Sequence, residues 1–298
     1  MEKINIMALR HSAFYTPLLT TISGGFLKAE GLEADYSLAT PQRSVPDALR
    51  KGEVHLSQSA VATSFADLEQ GKPIDIVHFA QINRLDGFFI AGRQAEADFD
   101  WRQLEGREIL VDHLFQPLAM FRYALHRLGV DASRVKIVDA GSVEEMDQAF
   151  RAGRGEYIHQ QGPYPQQLAR DGVGHLLASV GEVVGPLAFS SLCATREWLA
   201  TDMAKAFMRA YRQACRFVLD TPAKEIAALE AGFFPNIERQ VLIDTIATYQ
   251  RMGTWSADPC IDRPAYEHLL EVFLFSGLIT KRHPYESCIA PLPDGDDA

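Results

Sequence analysis

Apolar and polar residues along the chain fall into short runs, and glycine closes most of them. Residues 4–9 alternate and predict a strand, because successive strand side chains point to opposite faces. Arg10 to Tyr15 forms the loop after it. Thr16, with Pro17 next, predicts a capped helix start, and the apolar spacing carries that helix to about residue 30. Gly31 then reverses the chain, since only glycine enters positive φ at little cost. Residues 32–39 predict a second strand, 44–51 a short helix stopped by Gly52, and 54–57 a third strand that leads into Gln58-Ser59. Residues 60–70 read as helix up to Gly71. The apolar run 74–80 suits a strand buried on both faces of a parallel sheet.

Residues 87–91 are extended and apolar, which predicts a crossing into a second body. There the pattern repeats: a strand at 108–111, a helix from about Pro117 to Gly129, and a strand at 134–139. Ser142 and Glu145 then form a capping-box signature ahead of a helix that ends at Gly153. A strand at 156–159, a short helix and a strand at 174–180 follow, and 186–194 predicts the return crossing. The remainder is helical. Leu199, Met203, Phe207, Tyr211, Ala214 and Val218 recur at the spacing of one buried helix face. Thr221-Pro222 starts another helix, and 238–251 and 264–275 complete the set. The tail PLPDGDD predicts disorder. This order implies an α/β fold of two lobes, 1–88 plus 189–298 and 89–188, with the C-terminal helices packed on the first. Ligands of such sheets bind at the carboxyl ends of the strands, here in a cleft that a hinge motion would close.

The chain has 298 residues, 47% of them apolar, enough for a large core or two lobes. A net charge of −10 and a pI near 5.4 supply no basic stripe for nucleic acid, so an anionic ligand would need local donors. Cys193, Cys215, Cys260 and Cys288 are far apart, which reads as buried free thiols and gives no metal-ligand spacing. No apolar run is long enough for membrane insertion. MEKINIMALR shows no signal-peptide core, so the expectation is periplasmic if an export leader has been removed and cytoplasmic otherwise.

Loops at strand ends supply the candidate ligand contacts. Arg10 would clamp an anion and His11 would donate or accept. Phe14 and Tyr15 would stack on a flat ligand, or else cap the following helix with apolar surface. Gln58 and Ser59 follow the third strand. Gln81 and Asn83 follow the fourth, where hinge hydrogen bonds are the competing role. His113 and Gln116 flank a helix start in the second lobe, and His159, Gln160 and Gln161 end a strand at a Gly-Pro turn. Ser190 and Ser191, between apolar residues, read as hydrogen bonds inside a sheet. No nucleophile elbow, HExxH or GxGxxG fingerprint is present. The expectation is therefore no catalytic residue, no metal and no cofactor.

GGFLKAEGLEADY followed by PDALRKGEVHLSQS resembles the opening of the ABC-transporter substrate-binding proteins for sulfonates, nitrate and thiamin pyrimidines, the SsuA/THI5-like (NMT1-like) family. The resemblance implies the type II periplasmic-binding fold. It also implies a small planar or anionic ligand (sulfonate, carboxylate or pyrimidine) and delivery to a transporter permease. His113 and Gln116 hold the usual second-lobe ligand position of that family. Two enzyme branches share the scaffold. In the one resembling the thiamin-pyrimidine synthase, the pyridoxal-phosphate lysine and its histidine are replaced here by Gln58 and Ala62, and the cysteine-rich run by SSLCA at 190–194. In the one resembling aryl-sulfinate desulfinases, the nucleophilic cysteine falls at Ser12. An enzyme of this kind, or a cytoplasmic small-molecule sensor, is the alternative to a binding protein.

Overall fold

The computed structural model describes residues 1–293 and contains two five-stranded sheets. The first is built from β1 (Glu2–Ala8), β2 (Leu32–Leu38), β3 (Leu56–Ser59) and β4 (Ile76–Asn83). The second holds β5 (Phe88–Gly92), β6 (Glu108–Val111), β7 (Lys136–Val138), β8 (Tyr157–Gln161) and β9 (His175–Ser179), and the chain returns to the first as β10 (Ser190–Thr195). Their orders are β2-β1-β3-β10-β4 and β7-β6-β8-β5-β9. β1 runs parallel to β2 and β3, pairing Glu2 with Leu32 and Ile6 with Leu56. β10 runs antiparallel between β3 and β4, and β5 antiparallel between β8 and β9. Each crossing segment is thus an interior strand of its sheet, not a mere connection. The reason is burial: all five residues of β5 and five of the six in β10 are buried, so their backbone groups need partners on both sides.

The expected helix over 16–30 is broken. It runs Thr16–Ser23, pauses at Gly24 and Gly25, and resumes as Phe26–Ala29. A Cβ on Gly24 would meet the Thr20 carbonyl at 2.8 Å, so the break depends on that glycine. Thr16 is a helical residue and not the cap. The capping side chain is Ser12, whose Oγ accepts from Phe14 N at 3.0 Å ahead of a 3-10 turn at Ala13–Tyr15. The Ser142–Glu145 capping box is present with both bonds, starting the helix Val143–Arg151. The expected tail disorder falls partly on residues 294–298, outside the described residues; before them, Leu292 is buried in the core.

The helix Asp202–Asp220 buries Phe207, Tyr211, Ala214 and Val218 and packs on the helix Thr16–Ser23, and Tyr211 Oη donates to Gln81 O of β4 at 2.9 Å. The helices Arg239–Met252 and Arg263–Phe275 also reach the second sheet's side. Tyr249 Oη donates to Gly87 O at 2.7 Å and accepts from Gly162 N at 2.9 Å, and Tyr123 Oη donates to Glu271 at 2.5 Å. One hydrophobic cluster runs from Ile4 and Ile6 through Phe14, Phe189 and Phe88 to Phe121 and Leu125. The two sheets therefore share one continuous hydrophobic core.

Candidate functional site

Both sheets turn the carboxyl ends of their parallel strands toward a shared cleft of about 790 Å³. The first sheet supplies Leu9, Arg10, His11 and Ser12 after β1, and Leu38 with Ala39 at the end of β2. The second supplies residues 112–114 after β6, Asp139 to Glu144 after β7, and Gln161 with Tyr164 at and after β8. Backbone bonds fix the β1 loop: Leu9 N donates to Gln58 O at 3.1 Å and Arg10 N to Gln58 Oε1 at 3.2 Å. Gln58 is therefore the support on which the Arg10 backbone rests.

Arg10 spans the cleft. Its Nη1 lies 2.6 Å from Asp112 Oδ2, and the two side chains are only 18% and 7% exposed. Burial alone would push the Asp112 carboxyl up, but the Arg10 hydrogen bond and charge outweigh it and hold it below the usual range. Burial likewise pulls Arg10 down, and Asp112 raises it further than burial lowers it. Ser12 makes a second bond across the cleft, its Oγ donating to Gly162 O at 2.5 Å.

Behind this pair lies a buried polar layer. His159 is stacked on Phe88 at 4.5 Å, both its ring nitrogens lack partners, and burial pushes it down to about 3, so the ring is neutral. Tyr15 is buried beside Gln161 and Ser190; burial raises its hydroxyl and Arg10 partly offsets that. Gln116 Nε2 donates to Phe189 O at 3.0 Å, tying the second-lobe helix to the return segment, while its Oε1 is unpartnered.

Of the residues singled out from sequence, Arg10, His11 and His113 line the cleft, and Tyr15, Gln58, Gln116 and His159 stand behind its wall. His11 is already engaged, 3.1 Å from Tyr36 Oη, 2.8 Å from Phe233 O and in tilted ring contact with Phe234. His113 Nδ1 lies 2.7 Å from Val111 O, which leaves Nε2 for the cleft. Phe14 does not reach a ligand. Its ring is fully buried, in edge contact with Phe189 and beside Tyr249, because the loop folds inward as an apolar cap. Gln81 and Asn83 bond instead to the chain's own backbone: Gln81 Nε2 donates to Asn83 O and Leu187 O, and Asn83 Nδ2 to Phe14 O at 2.6 Å. Ser59 opens instead onto a neighbouring groove of about 610 Å³ beside the helix Val45–Arg50. Gln160 points to the far face of β8, toward Val143 O at 3.4 Å.

Sequence reasoning missed Asp112, Asp139 and Glu144, along with the leucines Leu9, Leu38 and Leu114 at the mouth, while Gln161 lines the cleft. Position and periodicity carry the rest of the signal. Asp112 shares the strand-end position of His113. Strand periodicity also puts His159 and Gln161 on one face of β8 and Gln160 on the other.

Nucleophile chemistry is poorly served. Ser12 Oγ is held between Gly162 O and Phe14 N, with no base among its partners. Burial pushes the Cys193 and Cys215 thiols up to about 12 and Cys288 to about 11, far from a reactive thiolate. Among the described residues no group of three or more His, Cys, Asp or Glu is placed to hold a metal ion. No described helix is long and apolar enough to cross a membrane.

Residues 13–225 match the protein family described as NMT1/THI5 like. A protein of Bacillus subtilis (strain 168), named as the binding protein YtlA, is 27% identical over 293 residues, 97% of this chain and 88% of its own. Among solved structures, the ligand-binding component of an ABC-type import system from Staphylococcus aureus superimposes with a TM-score of 0.76 at 16% identity, covering 100% of this chain and 99% of its own. The periplasmic aliphatic sulphonate binding protein SsuA of Escherichia coli gives a TM-score of 0.72 at 14% identity, covering 97% and 92%.

Proposed function

Because the chain belongs to the NMT1/THI5-like family, we propose that it is the substrate-binding component of an ABC importer, which captures a small organic molecule in the cleft outside the cytoplasmic membrane and presents it to a permease. The observation that carries this reading is the Arg10–Asp112 bridge, which joins the strand ends of the two sheets directly across a cleft of ligand size. The moving bodies in this reading are 1–88 with 189–298 and 89–188, turning about the links between β4 and β5 and between β9 and β10. The bridge and the Ser12–Gly162 bond would tie the two bodies together beside the ligand.

The ligand leaves the cleft chemically unchanged. What supports this is the engagement of Ser12 and His11 with the chain's own backbone, together with the suppressed thiols, since one fold hosts both binding proteins and enzymes. The test is mass spectrometry of whatever co-purifies, followed by incubation of that compound with wild type, Ser12→Ala and His11→Ala. The expected result is recovery of the same mass from all three. Conversion by wild type that Ser12→Ala or His11→Ala abolishes would make the protein an enzyme.

A further inference from the structure

The strand-end position of Arg10 suggests an anion there, but its guanidinium is already paired. Arg10 is held by Asp112 at 2.6 Å. The helix Phe115–Arg127 begins at the cleft, and the N–H of Leu114 ahead of it is taken by Asp112 Oδ1 at 2.9 Å. The helix Val143–Arg151 also begins there, with Glu145 in its first turn accepting from Ser142 N at 2.7 Å. Gly141 N donates to Asp139 Oδ1 at 2.9 Å. A guanidinium is a usual receptor for a sulfonate or carboxylate, and here it already carries a carboxylate of the chain itself, with further carboxylates standing at both helix starts.

We infer that Asp112 occupies the place of an anionic ligand on Arg10, so that the cleft takes a neutral or positively charged amine with an apolar body and turns away sulfonates and carboxylates. This rests on the cleft being the ligand site. The lining carries one guanidinium and three carboxylates, Asp112, Asp139 and Glu144, a formal −2. An anion entering it would have to separate a buried ion pair and leave Asp112 without its partner, and it would approach two further like charges. An ammonium or amino group meets the opposite situation, with Asp139 and Glu144 exposed on one wall and able to accept from it. The apolar body is indicated by the mouth. Leu9, Leu38 and Leu114 are 43%, 44% and 55% exposed there, a convergence of bare leucines that a ligand's carbon skeleton would cover. Gln161, buried on the cleft wall with Nε2 unpartnered, adds one donor for a neutral acceptor on the same molecule.

The experiment is a thermal-shift and calorimetric screen of amines, alcohols, carboxylates and sulfonates matched in alkyl or aryl skeleton, run on wild type, Asp112→Asn, and Asp139→Asn with Glu144→Gln. Wild type should be stabilised by amines and left unmoved by the matching sulfonates. Asp112→Asn frees Arg10 and should gain at least about tenfold in sulfonate affinity. The exposed double variant avoids dependence on a substitution in the buried pair; it should keep the wild-type melting temperature and lose about threefold in amine affinity. Sulfonates or carboxylates that stabilise wild type above the matching amines would overturn the charge assignment and leave the binding-protein reading intact. No stabilisation by any class would overturn the binding reading, and the assignment with it.

Discussion

Glu230 shows how one side chain can report on the packing around it. It is fully buried with Oε1 2.8 Å from Thr20 Oγ1 and Oε2 3.0 Å from Thr16 Oγ1. Thr16 also donates to Ala13 O, so its single hydrogen is spoken for and a protonated Glu230 completes the network by donating to Thr16. Burial accordingly pushes this carboxyl up to about 8. Asp86, between β4 and β5, behaves alike, pushed up to about 8 with one oxygen accepting from Phe88 N and the other unpartnered. Its surroundings leave no room: a Cβ on Gly181 would meet Asp86 O at 2.2 Å, and one on Gly87 would meet the Phe14 ring at 2.4 Å. Gly181→Ala, where the obstacle is backbone, should therefore cost about 1–3 kcal/mol in urea unfolding. An unchanged midpoint would mean that these segments do not pack as described.

At the level of elements, much was legible. The strand order in the chain, the Ser142–Glu145 box and the apolar stripe of the helix Asp202–Asp220 all follow from spacing and local hydrogen-bonding chemistry. What could not be read was which strands become neighbours. β5 and β10 look like connections because nothing local says that a strand will be inserted antiparallel between distant partners. The same limit hid the cleft wall. Arg10 was visible, but its partner lies 102 positions away on β6's exit and only the fold unites them. Phe14 and Tyr15 are adjacent, yet the 3-10 turn sends one ring into the core and the other toward Gln161. Tyr249 tests the element-level account. Tyr249→Phe removes a donor to Gly87 O and an acceptor for Gly162 N, both buried, and should cost about 1–3 kcal/mol. It should also speed hydrogen exchange in 86–90 and 160–164 ahead of the rest of the chain; uniform loss of protection would show that Tyr249 does not act locally.

For the whole molecule, the buried titrating groups set opposing slopes of stability against pH. His78 and His159 are pushed down to about 3 by burial, so the unfolded chain binds more protons between about pH 3 and 6.5, and stability falls as pH drops through that window. Asp86 and Glu230 are raised to about 8, so the folded chain binds more protons between about pH 4 and 8, and stability falls as pH rises there. The Asp112 carboxyl, depressed by Arg10, adds stability above its unfolded value that is lost on acidification through the folded one. Melting temperature should therefore peak on a plateau between about pH 4.5 and 6.5 and decline on both sides. Glu230→Gln should flatten the alkaline decline, and an unaltered slope would show that Glu230 titrates normally.

Everything functional depends on the cleft between the two sheets being where the ligand sits. The most direct measurement is a crystal structure of the full chain with the compound that co-purifies with it. The compound should lie between residues 9–12 of the first sheet and 141–144 with Gln161 of the second, its apolar part under Leu9, Leu38 and Leu114. Density for it in the groove beside the helix Val45–Arg50, or elsewhere on the surface with the cleft empty, would contradict the account.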